Sequence, residues 1–427
     1  MTEIVFIILI VLITVFFSIL RLRWGLYAVA MALPTYVLRT HIGPLPTTAL
    51  ELAIVALCVV VAFRLLTRAE LRASLSYIWT GNGLRWPVLA FVAASFIGVV
   101  VSPNLRESFG AWRAWVLEPA VVAAIALMTV RSLEHAKNLV LSLVVSGGAL
   151  SFYGLAEYFI SPDHLGDGRL NSVFVPANYH AMFIVPIILL VLPLLREWRG
   201  TWRGGVATVS VLVMTLSLYF TYSFGGYLAL GAGLLIMVFA QARPKQRIGA
   251  LIVVVLLGLA VVATQLQTFK LWNVFNVSGR SSTSVRVQIW HSAAVMIQEH
   301  PVFGIGYANF ESVYRQVVPR LYWPPLEWLV TQPHNLYLAL WTEIGIFGLL
   351  TFLWLIIAAF RVLRRTFTGP THNLAVGTTA ALIATLVHGV VDTPLFKNDL
   401  GTLFFLMFAL TSIIARHARQ TGQTVLK

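Results

Sequence analysis

His334 stands just after Gln332-Pro333 and at the lip of a long apolar run, and Arg286 opens an earlier stretch of helical spacing. An imidazole exchanges a proton near neutral pH, which is what a general base must do. A guanidinium matches a diphosphate in fork geometry and in charge. Together the two side chains have what a displacement needs when an incoming hydroxyl must lose its proton and a diphosphate must leave. Each also has an ordinary reading. A lone histidine at a helix start is commonly a structural hydrogen-bonder, and an arginine near a membrane surface commonly snorkels to a lipid phosphate. The proline restricts the residue before it to extended conformations, so the imidazole is expected at the mouth of the next helix, within reach of water and lipid.

The elements that position these residues follow from composition. With 59% hydrophobic and 11% charged residues among 427, the chain reads as an integral membrane protein. About 20 apolar residues cross a bilayer, and thirteen stretches qualify, near 3–20, 24–40, 48–66, 84–101, 110–130, 138–160, 176–195, 204–222, 225–240, 248–266, 335–360, 373–391 and 399–415. The expected fold is all-α, a polytopic bundle of 12–13 transmembrane helices in residues 1–266 and 334–427. One large loop, 267–333, interrupts it.

Taking alternate connections, 20 of the 30 basic residues fall on one side, including Arg21, Arg23, Arg64, Arg68, Arg72, Arg196, Arg199, Arg203, Arg361, Arg364, Arg365, Arg416 and Lys427. Such loops stay cytoplasmic. The other side holds 10, of which Lys270, Arg280, Arg286, Arg315 and Arg320 lie in the long interval, leaving Arg39, Arg106, Arg113, Arg169 and Lys397. The amino terminus and the interval are therefore expected outside, and the carboxyl terminus in the cytoplasm. Residues 1–20 carry Glu3 and no basic residue, so the first stretch reads as a retained span rather than a signal peptide. The net charge of +14 reflects basic collars facing lipid headgroups, not nucleic acid. Cys58 is alone, which excludes an internal disulfide and a cysteine metal site. No 20-to-50-residue repeat recurs, and polar content is concentrated after residue 266, favouring a site on one face over a path through the middle.

Within the interval, Thr283 to Glu299 is expected to form an amphipathic helix with Arg286, Trp290, Ala293, Ala294 and Ile297 inward and His291 and Gln298 off that face. Phe303-Gly304-Ile305-Gly306-Tyr307 then reads as a tight glycine turn before a short segment through Val317. Tyr314, Tyr322, Trp323 and Trp328 crowd the approach to His334 and are read chiefly as membrane anchors. Glu51, Glu118, Glu157 and Glu343 are expensive in lipid, serving either function or helix-to-helix hydrogen bonds. Asn178 at a helix beginning is ordinarily a cap, and with Tyr179 is also a candidate for binding. The segment His388-Gly389-Val390-Val391-Asp392 is placed to add a polar wall if that span end folds beside the interval.

These residues carry a resemblance. His334-Asn335 followed nine residues later by Gly345-Ile346-Phe347-Gly348, Ser284-Val285-Arg286 before the amphipathic stretch, His300-Pro301-Val302-Phe303-Gly304-Ile305-Gly306 after it, and Arg169 through Asn178 (RLNSVFVPAN) resemble the motifs of the O-antigen ligase and polymerase superfamily. The resemblance covers residues 169–360 in detail and implies a GT-C-like, all-helical bacterial membrane glycosyltransferase. Its implied donor is a glycan on undecaprenyl diphosphate at the outer face of the inner membrane. Its acceptor is a hydroxyl of a glycan, lipid or protein, with no cofactor and no metal. It gives His334 the role of base and Arg286 that of diphosphate clamp, with Arg169, Asn178 and Asn335 on the substrate. Where the family shows Ser-Arg-Gly, this chain has Tyr222-Ser223-Phe224-Gly225-Gly226, so either another outer arginine, Arg280, Arg315 or Arg320, supplies the missing charge or the donor is held differently. A ligase is the first reading, a polymerase of the same chemistry the second, and a lipid-linked oligosaccharide transporter the third.

Overall fold

A computed structural model describes residues 2–43, 45–79, 83–161, 168–174, 176–265 and 280–422; Lys270 and Lys427 lie outside them. All thirteen predicted stretches hold helices. Ten helices among the described residues are long and apolar enough to cross a membrane. The other three, Leu22–Met31, Arg85–Val100 and His372–His388, are shorter. The chain is an all-α polytopic membrane protein.

The stretch expected at 24–40 is cut short at Pro34, which has no N–H and enters a 3₁₀ turn, Leu33–Val37. An unanticipated antiparallel hairpin follows, Arg39–Ile42 against Leu45–Thr48. Thr48 then caps the Ala49–Thr67 helix by accepting from the Glu51 backbone N–H at 3.2 Å.

Helices in lipid associate through close packing rather than through a hydrophobic driving force. Accordingly, a Cβ on Gly377 would lie 2.6 Å from the Leu190 carbonyl oxygen, so His372–His388 touches Ala177–Leu195 backbone to backbone. The Asn398–Gln420 helix is buried along nearly its whole length, with Phe404 stacked on Phe352 at 5.9 Å. By contrast, Pro244–Thr264 buries none of its residues, as an apolar helix bordered by lipid would.

The interval has a core of its own. Ser282–Glu299 and Phe310–Leu321 pack through Ile289, Ala293, Met296, Phe310, Tyr314 and Val317. Gln288 donates to the Tyr314 hydroxyl at 2.6 Å, and Tyr314 donates to the Glu327 carbonyl at 3.0 Å. The inward face therefore differs from expectation. Gln288, Ile289, Ser292, Ala293 and Met296 are buried, while Arg286, Trp290, Ala294 and Ile297 are half-buried and His291 and Gln298 exposed. The helix serves two neighbours, its own small core on one face and the bundle on the next.

The expected glycine turn is present, with Gly304 at φ 72° and Gly306 at φ 85°, and it locks into a break in the Leu336–Arg364 helix. That break is at Gly345, φ 70° and ψ −173°, a conformation open almost only to glycine. The Thr342 and Glu343 carbonyls accept from the Ile305 and Gly306 N–H groups at 2.7 and 3.0 Å, and Ile346 N–H turns to the Pro301 carbonyl at 3.2 Å. A Cβ on Gly345 would sit 2.0 Å from the Val302 carbonyl oxygen. Three backbone groups at the break, the Thr342 and Glu343 carbonyls and the Ile346 N–H, are thus matched by the turn.

Candidate active site

His334 is held in the left-handed region, φ 48°, which costs a residue bearing a Cβ roughly 1–2 kcal/mol. Its neighbours fix it there. Trp290 Nε1 donates to the Pro333 carbonyl at 3.0 Å, and Leu336 N–H donates to the Gly389 carbonyl at 2.7 Å. Asn335 caps the Leu336–Arg364 helix, its Oδ1 accepting from the Tyr337 and Leu338 N–H groups at 3.0 Å each, while its Nδ2 donates to the Val390 carbonyl at 2.9 Å. The side-chain atoms of Asn335 are therefore committed to backbone, which is a structural use of a residue that the resemblance put on the substrate.

Asp392 is the centre of the cluster. It leaves the end of His372–His388, its side chain is 3% exposed, and its Oδ1 accepts from His334 Nδ1 at 3.1 Å. With Nδ1–H donating to a carboxylate, the other ring nitrogen keeps its lone pair. Asn178 Nδ2 donates to Asp392 Oδ2 at 2.9 Å, and Arg169 Nη2 donates to Asn178 Oδ1 at 2.7 Å. Asn178 is thus a bridge and not a side-chain cap. Burial alone would raise the Asp392 carboxyl; the hydrogen bond from His334 and the charges of His334, His388 and Arg286 outweigh it and hold it below the ordinary carboxylate range.

Arg286 reaches the same segment from Ser282–Glu299, its Nε donating to the Val391 carbonyl at 3.3 Å. The polar wall expected from His388 to Asp392 is present. Gly225 opens room for it, since a Cβ there would lie 2.9 Å from His388 Nε2 and 2.8 Å from Val391. Buried Arg169 donates through Nε to the Thr221 carbonyl at 2.6 Å, at the corner that carries Phe224 in place of an arginine. The chain segments that meet are the starts of Ala177–Leu195, Leu336–Arg364 and Asn398–Gln420 and the ends of Trp202–Phe220 and His372–His388, all at one end of the bundle. At the other end Arg416 donates to the Leu127 carbonyl at 3.0 Å and lies over the Tyr77 ring.

The structure brings His334, Arg286, Arg169, Asn178 and Asn335 together around Asp392. It places the remaining three arginines on carboxylates elsewhere: Arg280 on Glu327 at 2.6 Å, Arg315 on Glu311, and Arg320 on Glu299 at 3.0 Å. Each is at least half exposed, so each pair is solvated. Glu51 pairs with Arg113 from helix to helix, Glu118 pairs with Arg113 within one continuous helix, and Glu343 accepts from the Ala308 N–H of the loop at 3.4 Å. Tyr314 is buried in the interval's core, whereas Trp323 is 77% exposed. Among the described residues, no three His, Cys, Asp or Glu side chains form a group fit for a metal ion.

Residues 209–353 match the family model for the O-antigen ligase. The chain is also similar to the O-antigen ligase of Salmonella typhimurium (strain LT2), 24% identical over 295 residues that cover 66% of this chain and 70% of that protein. The matched stretch contains Arg286, the glycine turn, His334 and the break at Gly345. By these matches and the order of those motifs, the chain is similar to the O-antigen ligases.

Proposed function

We propose that this protein transfers a glycan from undecaprenyl diphosphate to an acceptor hydroxyl, as an O-antigen ligase-type glycosyltransferase. The observation that carries the reading is His334 bonded to buried Asp392 with Arg286 on the adjoining backbone. In this reaction the free ring nitrogen of His334 takes the acceptor proton, the acceptor oxygen forms the new bond to the anomeric carbon, and the bond to the diphosphate oxygen breaks. The electron pair leaves on the diphosphate, whose charge Arg286 holds. Asp392 fixes the tautomer and stabilises the imidazolium that forms, the role a buried carboxylate plays beside a histidine base. Arg169 and Asn178 keep that carboxylate in place and put a second cation at the Phe224 corner. The scheme needs no metal, because a diphosphate is already a good leaving group and a guanidinium meets its charge.

We read the end of the bundle that holds the site as extracytoplasmic in the bacterial inner membrane, with the carboxyl terminus cytoplasmic, from the distribution of Lys and Arg. The test is mass analysis of products after purified protein in lipid vesicles meets an undecaprenyl diphosphate-linked oligosaccharide, with His334→Ala alongside. Released undecaprenyl diphosphate and a relocated glycan, absent with the variant, is the expected result. An extended lipid-linked glycan instead identifies a polymerase, and donor moved across the membrane unconsumed rejects transfer.

A further inference from the structure

Lys397 begins the Asn398–Gln420 helix, five residues after Asp392. Its ammonium lies 4.1 Å from the ring centroid of Tyr179 and 5.8 Å from that of Tyr36. Tyr179 follows Asn178, the residue bonded to Asp392, so the ammonium and the His334–Asp392 pair are held by the same two segments. Gln332 fastens them further, donating from Nε2 to the Phe396 carbonyl at 3.2 Å while accepting from the Thr393 hydroxyl.

Among the described residues no carboxylate comes within ion-pair distance of Lys397, although the chain spends carboxylates freely on more exposed cations such as Arg280 and Arg320. Asp399 and Asp392 act on it only at longer range, and Arg39 of the hairpin opposes them. Burial, the largest influence, and Arg39 lower its hold on its proton, so the ammonium pays for desolvation without a close counter-ion. Neighbouring Asn398 is committed to Glu51 Oε1 at 2.8 Å, which in turn pairs with Arg113, so those charges are matched among themselves. The side chain is only partly buried and can be reached by a ligand.

We propose that Lys397, walled by Tyr36 and Tyr179, is an anion subsite beside the His334–Asp392 pair that takes a phosphate group of the glycolipid substrate. This rests on the glycosyl-transfer reading for the identity of the substrate, but the subsite is tested without turnover. A compact ammonium binds phosphate as a point charge, and the tyrosine rings exclude water around it.

The experiment is equilibrium binding of farnesyl diphosphate, and separately of glucose 1-phosphate, to full-length protein in lipid nanodiscs. Wild type is compared with Lys397→Met, Lys397→Arg and Arg315→Ala, with Lys397→Gln used should the Met variant fail to give monodisperse protein. The uncharged variant is expected to bind at least one probe tenfold or more weakly, with Lys397→Arg restoring most of the affinity and Arg315→Ala, whose guanidinium pairs with Glu311 in the interval, within threefold of wild type. Loss confined to farnesyl diphosphate places the subsite on the donor, and loss confined to glucose 1-phosphate places it on a phosphorylated acceptor. Equal binding by wild type and the uncharged variant overturns the subsite and leaves the glycosyl-transfer reading standing. Failure of wild type to bind either probe removes the subsite and weighs against the lipid-diphosphate donor itself.

Discussion

His334 Nδ1 and Asp392 Oδ1 lie 3.1 Å apart, joining the residue that enters one membrane helix to the residue that leaves another. Neither has this geometry alone, since the histidine's backbone is strained and the carboxylate is nearly sealed from solvent. Replacing His334 by Ala is expected to lower kcat about 10²- to 10⁴-fold, the usual worth of a general base. Asp392→Asn should cost on the order of 10²-fold or more, because an amide can hold the imidazole in the wrong tautomer. Steady-state rates with donor in excess measure both, and wild-type rates in either variant reject the pair as the reaction centre.

Asp392 also gives the fold a pH dependence. Its folded carboxyl sits lower than in the unfolded chain, so the stability it contributes is fully present above the unfolded value, about 4, and is lost as pH falls through the folded value. Thermal denaturation in detergent should therefore decline more steeply below pH 4 for wild type than for Asp392→Asn. Parallel profiles would mean that the carboxyl is not held in its charged form by His334, His388 and Arg286.

Arg286 and the three solvated arginines make an internal contrast. Arg286→Ala is expected to reduce turnover roughly 10²- to 10³-fold, the loss seen when one preorganised donor to a developing oxyanion is removed. Arg286→Lys should recover only part of it, since a point charge lacks the fork. Arg315→Ala and Arg320→Ala each remove an exposed ion pair worth about 0.2–1 kcal/mol and should leave turnover within twofold. A reversed order of effects would move the clamp to the interval's outer surface.

Much of this site was legible in the residues, and the reason differs from one to the next. His334 stands out because it borders an apolar run, and Arg286 because it opens a stretch of helical spacing inside the polar interval. Asp392 is harder to see. The sequence shows a polar wall at a span end, but only the bundle's topology brings it to a histidine 58 positions earlier. The two asparagines exchanged roles for a local reason: the cap preference was weighed at Asn178, whereas Asn335 is the residue whose side chain meets free N–H groups. The rotated face of Ser282–Glu299 was hidden because periodicity describes one buried side and this helix has two.

Arg169 is expected to act through position. Removing its guanidinium leaves Asn178 Oδ1 and the Thr221 carbonyl without this donor in a buried place, a loss of about 1–3 kcal/mol for a buried group left unpaired. Arg169→Ala should lower the melting temperature in detergent as well as turnover, while Arg169→Lys restores less than half of either. A variant of wild-type stability that fails only in turnover would instead put Arg169 directly on the substrate.

The break at Gly345 makes the helix that starts after His334 unable to satisfy its own backbone. Hydrocarbon offers no donors to the Thr342 and Glu343 carbonyls, and a polar group left bare there costs several kcal/mol. The donors come from Ile305 and Gly306, in a segment synthesised earlier and belonging to the water-side interval. The fold of the interval and the seating of the crossing that follows it are therefore coupled: without the docked turn, the helix carries bare carbonyls, and His334 lies in the chain between the two.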